Sequence, residues 1–137
     1  MKKIFLILFS LLLFITACGG DTAGGDTAVP DPAKLPDTVD AKTTAAVKEM
    51  DNVIVLDVRE QWEYDEGHIP GVTLIPMGEV ANRLSEIPTD KEVIVTCRSG
   101  NRSSQVTEFL REQGYDNVHN MAGGILAWQE AGLPVEQ

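Results

Sequence analysis

Val93-Ile94-Val95-Thr96-Cys97-Arg98-Ser99-Gly100-Asn101-Arg102-Ser103 is the stretch on which the reading of this chain turns. Three consecutive β-branched apolar residues predict a strand buried on both faces, since a half-exposed strand would alternate with polar residues. The strand runs straight into Cys97. After a short polar loop, Val106, Phe109 and Leu110 recur at helical spacing, and Gly114 is a suitable C′ residue to end that helix. Outward from this unit the pattern repeats. Val53-Ile54-Val55-Leu56, closing on Asp57, predicts another buried strand, Val72 to Ile75 a short one ended by Pro76, and Val118 to Met121 a further one. Helices are predicted over Ala41 to Met50 with Asp40 as cap, over Glu60 to Glu66, and over Gly78 to Ile87, where Val80, Leu84 and Ile87 share a face. A last helix follows Gly123-Gly124, passes through Trp128 and ends near Gly132 and Pro134. Strands alternating with helices at this spacing imply an α/β fold around a parallel sheet.

The 137 residues suffice for one ordinary domain and not for two. Met1-Lys2-Lys3 is a short basic start, and Ile4 to Ala17 is a run of 14 uncharged residues. As a helix at ~1.5 Å per residue that run reaches about 21 Å, short of the ~30 Å hydrocarbon core, so a signal peptide over residues 1–17 is expected rather than a span. Ile15-Thr16-Ala17-Cys18 resembles a bacterial lipobox, which implies cleavage before Cys18 and lipidation of its sulfur. The expected location is the cell envelope, lipid-anchored on the extracytoplasmic side of a bacterial membrane, and periplasmic in a Gram-negative cell. Gly19-Gly20-Asp21-Thr22-Ala23 is repeated as Gly24-Gly25-Asp26-Thr27-Ala28, with Pro30, Pro32 and Pro36 beyond. Residues 18–37 therefore read as a tether, and 38–137 as the domain. Removing residues 1–17 leaves 9 basic against 21 acidic residues, a field that repels phosphate backbones, so no nucleic-acid partner is expected.

With Cys18 consumed by lipid, Cys97 has no partner, and a lone thiol in an oxidising compartment needs a reason to be there. Its position supplies one. In parallel sheets ligands bind beyond the carboxyl ends of strands, at helix N-termini. Gly100 and Asn101 tolerate left-handed backbone, which lets successive N–H groups curl inward as a nest. Helix dipole, nested amides, Arg98 and Arg102 all favour a thiolate at Cys97. Such a thiolate can attack an electrophilic sulfur, and the same donors stabilise the persulfide anion that forms. An oxoanion such as thiosulfate docks on Arg98 or Arg102, with Arg98 the expected contact and Arg102 able to fold back and fix the loop.

Four motifs stand in order between Val53 and Val135: Leu56-Asp57-Val58-Arg59-Glu60, Gly67-His68-Ile69-Pro70-Gly71, Cys97 through Ser103, and Ala122-Gly123-Gly124-Ile125 with Trp128. Together they resemble the rhodanese family in its small single-domain form. The resemblance implies a five-stranded parallel sheet flanked by helices, and a two-step cycle that needs no cofactor. Catalytic Cys97 accepts a sulfane sulfur from a small anionic donor and passes it to cyanide, a thiol or a protein thiol. Ser99, Gly100, Asn101, Arg102 and Ser103 join Arg98 as expected substrate-binding residues, and a monomer is expected. Thr96 and Leu74 depart from the usual pattern, which leaves the acceptor open. A catalytically weak persulfide carrier or a binding module is the alternative reading. Phosphatase-like chemistry on related folds uses Cys-x5-Arg, whereas four residues separate Cys97 from Arg102 and Ser103 stands where that arginine would be.

The remaining polar residues have structural readings. Asp57 and Arg59 are expected as a buried, loop-fixing ion pair, Glu60 and Glu63 as solvated or helix-capping groups, and His68 as a structural hydrogen-bonder. His119 is expected to be incidental. Trp62 and Trp128 are expected to pack on the core. Two histidines and one cysteine without ligand spacing make no metal site.

Overall fold

The computed structural model describes residues 28–137, so the expected signal peptide, lipidated Cys18 and most of the tether lie outside the described residues. Strands β1 (Thr38–Val39), β2 (Val53–Asp57), β3 (Thr73–Leu74), β4 (Glu92–Thr96) and β5 (Val118–Met121) form one sheet in the order β1-β5-β4-β2-β3. Every pairing is parallel. Helices α1 (Ala41–Val47), α2 (Gln61–Glu66), α3 (Asn101–Glu112) and α4 (Gly124–Glu130) flank the sheet, α3 in one core cluster and α1 and α4 in the other. The Val93–Val95 run explains why β4 sits centrally. Val93 and Val95 enter the cluster containing Leu56, Val106 and Leu110, while Ile94 enters the one containing Val55, Ile125 and Trp128. Period-two alternation thus feeds both layers from one strand. Asp40 caps α1, its carboxylate accepting from Thr43 N at 2.7 Å.

Three expectations change. The segment from Gly78 to Ile87 is not an α-helix but two 3-10 turns, Met77–Asn82 and Leu84–Glu86, hinged at Arg83 with φ −123°. Val80 and Ile87 still reach the core, so the apolar spacing holds while the backbone winds more tightly. The domain also starts before residue 38. A 3-10 turn at Pro32–Lys34 packs Pro32 inward, and Asp37 O accepts from Asn120 N at 2.9 Å. His119 secures this N-terminal segment and is not incidental. Its Nδ1 lies 2.7 Å from Pro36 O and its Nε2 2.9 Å from Glu92. No helix among the described residues is long and apolar enough to cross a membrane.

Candidate active site

Cys97 follows the end of β4, so the sheet delivers it to the carboxyl edge with a side chain only 1% exposed. Gly100 then turns the chain with φ +93° and caps α3. That turn swings the Gly100 N–H to 3.1 Å from the Cys97 sulfur. A Cβ at Gly100 would sit 2.9 Å from Gly123 N, so both backbone angle and space demand glycine. The loop is fastened from below by α4. Ile125 N donates to Cys97 O at 2.8 Å and Leu126 N to Arg98 O at 3.1 Å. Gly124 makes this approach possible, because an added Cβ would lie 2.6 Å from the Arg98 carbonyl and closer still to that of Cys97.

Burial is the largest single influence on the Cys97 thiol and pushes its pKa up. The Ser103 hydroxyl and the amides of Ser103, Gly100 and Ser99 together outweigh it, so the thiol is more acidic than usual. The cradle is therefore built of backbone amides and one hydroxyl. Ser103 Oγ lies 3.4 Å from the sulfur, 3.1 Å from Gly100 O and 2.7 Å from Asn120 Oδ1. Its single proton serves one of these acceptors at a time. Asn101 does not adopt left-handed backbone, since every positive φ among the described residues belongs to glycine. It opens α3 instead.

The two arginines of the loop part company. Arg102 turns to Glu63 in a bidentate pair, both contacts at 2.7 Å. Glu63 is buried and also closes the α2 capping box with Glu60. The Arg102 hydrogen bonds hold the Glu63 pKa at about 2, down from an ordinary 4.5, against the opposing effect of burial. Arg102 thus folds back onto Glu63 as a brace for the loop. Beneath it, Arg59 spans Asp57 at 2.7–3.0 Å, Glu63 O at 3.2 Å and Gly67 O at 3.0 Å. The expected Asp57–Arg59 pair is present and buried. His68 is structural, with Nδ1 at 3.0 Å from Tyr64 O and its backbone paired with Glu136.

Arg98 is exposed and has no hydrogen-bond or carboxylate partner among the described residues, unlike the other four arginines. It lines a cleft of about 240 Å³ together with Trp62, Glu66, Leu126 and Gln129, over a floor that includes Arg59 and Glu63. Trp62 does not pack on the core as expected. It is 63% exposed at this cleft, whereas Trp128 is fully buried with Nε1 donating to Pro134 O at 2.8 Å. Ser99 is exposed, and Ser103 is buried behind the sulfur. Glu63, Asn120 and Gly124 escaped the sequence reading as site residues. An asparagine between His119 and Met121 in a strand and a second glycine after Gly123 were the available signals. Among the described residues no cluster of His, Cys, Asp or Glu is arranged to hold a metal ion.

Residues 40–131 match the rhodanese-like domain family. A sulfurtransferase of Allochromatium vinosum is 44% identical over 85 residues, covering 62% of this chain and 79% of that protein. The thiosulfate sulfurtransferase GlpE of Pseudoalteromonas translucida is 32% identical over 88 residues, covering 64% and 84%. Among solved structures, a rhodanese-related protein from Thermoplasma volcanium superposes with a TM-score of 0.67 at 34% identity, covering 74% of this chain and 98% of that one. By its sheet, its cysteine loop and these likenesses, the chain belongs to the rhodanese-like domain family.

Proposed function

We propose that this protein is a sulfurtransferase that carries a sulfane sulfur as a persulfide on Cys97, taking it from a thiosulfate-like anion and passing it to a thiol or cyanide. One observation carries the reading: the buried Cys97 sulfur is faced by the Gly100 N–H at 3.1 Å and the Ser103 hydroxyl at 3.4 Å. In the first half-reaction the Cys97 thiolate attacks the outer sulfur of thiosulfate. The S–S bond breaks, sulfite leaves with the electron pair, and Cys97 retains a persulfide anion within the same donors. The Ser103 hydroxyl and the loop amides lower the Cys97 pKa against the effect of burial and so favour the thiolate. Arg98 docks the anion, and Arg102, held by Glu63, keeps the loop in shape. Ser103 at the place of a phosphatase-like arginine, and Arg102 engaged by a carboxylate, favour this reading over a phosphatase-like one. The domain acts from a membrane surface, tethered through lipidated Cys18.

Cys97→Ser tests the assignment. Thiosulfate:cyanide sulfur transfer is expected to vanish while the fold survives. Activity in that variant comparable to wild type would sink the proposal.

A further inference from the structure

The cleft beside the Cys97 loop is larger and differently charged than a thiosulfate site requires. At ~30 Å³ per water its 240 Å³ equals about eight waters, whereas thiosulfate has five heavy atoms. Its ionic groups are unevenly committed. Arg59 is bound by Asp57, and Glu63 is bound by Arg102. Two lining charges remain without a partner among the described residues, the Arg98 guanidinium and the Glu66 carboxylate. Trp62 and Leu126 add exposed apolar wall, at 63% and 44% exposure. One free cation, one free anion and a hydrocarbon surface give a zwitterion two matched charges, whereas a dianionic donor uses Arg98 alone.

The geometry points to a small zwitterionic aminothiol, bearing both a carboxylate and an ammonium group, as the sulfur acceptor, with Arg98 holding the carboxylate and Glu66 the ammonium. This rests on the persulfide reading above and names the acceptor class for it. The cleft abuts the sulfur's own loop, since Arg98 follows Cys97 and cleft residue Ile125 donates to Cys97 O at 2.8 Å. The acceptor thiol gives its proton to the outer sulfur of the Cys97 persulfide anion, and the resulting thiolate attacks that sulfur. A new S–S bond forms on the acceptor, the bond to Cys97 breaks, and its electron pair returns to Cys97 as thiolate. The proton stays on the transferred sulfur, and no external oxidant or reductant is consumed. The indole face of Trp62 offers the ammonium a further contact.

Cys97 persulfide formed from thiosulfate is first verified by mass, then discharged with four thiols at equal thiolate concentration: L-cysteine, 3-mercaptopropionate, cysteamine and 2-mercaptoethanol. The net charge of −10 alone would make 3-mercaptopropionate slower than 2-mercaptoethanol. The cleft predicts the reverse, each matched charge raising the rate about three- to fivefold, with cysteine fastest. Arg98→Ala, charged to the same persulfide mass with excess thiosulfate because Arg98 also docks the donor, loses the carboxylate advantage and keeps the ammonium advantage, and Glu66→Gln does the reverse. Equal rates for all four thiols, a slower 3-mercaptopropionate, or preferences unchanged in both variants would overturn the inference while leaving the persulfide reading standing. Failure to form the persulfide would remove that reading itself, and it is seen before any acceptor is added.

Discussion

The cysteine cradle and the cleft beside it are built from adjacent residues on opposite plans. In the cradle nearly every group is committed inside the protein: Gly100 N and Ser103 to the sulfur, Arg102 to Glu63, and the Cys97 and Arg98 carbonyls to α4. On the cleft wall Arg98, Glu66 and Trp62 are left exposed and uncommitted. The difference separates holding from binding. A reacting sulfur gains from donors that need no reorganisation, so its surroundings are saturated and stiff. Recognition needs groups whose hydrogen-bonding capacity is still free.

The largest break in this division is expected at Gly124. Its φ of +56° and its crowding against the Cys97 and Arg98 carbonyls leave no room for a side chain. Gly124→Ala should pry α4 from the loop, cost about 2–4 kcal/mol in denaturant unfolding, and reduce sulfur transfer to near background.

A smaller effect follows from the brace. Glu63 is depressed to about 2 by its bonds to Arg102, so its stabilisation is present above the ordinary carboxylate value of 4.5 and is lost as pH falls towards 2. Glu63→Gln should cost about 2 kcal/mol at neutral pH, and its stability should fall less than that of wild type across that acid window. Arg102→Ala leaves Glu63 buried without its partner, and should lower kcat more than it changes KM, because a loosened cradle misplaces the amides. Thermal melts across pH and steady-state kinetics read these effects.

The smallest effect is expected on the binding side. Arg98→Ala removes an exposed, unpaired guanidinium, so stability should hold while KM for thiosulfate rises about three- to tenfold with kcat little changed. A KM within error of wild type would show that Arg98 does not dock the donor.

The same contrast explains what the sequence disclosed. The sheet was legible because its strands announce themselves locally: Val93–Val95 and Val53–Leu56 are continuous apolar runs, and Val118 to Met121 matched its predicted bounds. Cys97, Gly100 and the Asp57–Arg59 pair were legible because each lies within one short motif. The two-residue β1 was not, since a strand that short carries no periodicity and forms through its pairing with β5. The Gly78–Ile87 segment kept its apolar positions but adopted tighter turns between Pro76 and Pro88, where spacing alone does not separate α from 3-10 geometry. The Arg102–Glu63 brace joins residues 39 apart in sequence, and the exposure of Trp62 depends on where α2 lands. Neither has a local signature.

Intact-mass spectrometry with peptide mapping of the protein after exposure to thiosulfate tests the central claim most directly. The account predicts a gain of one sulfur atom, located on the peptide containing Cys97, and its loss on adding a thiol or cyanide. An unchanged mass, or sulfur bound elsewhere than Cys97, would contradict it.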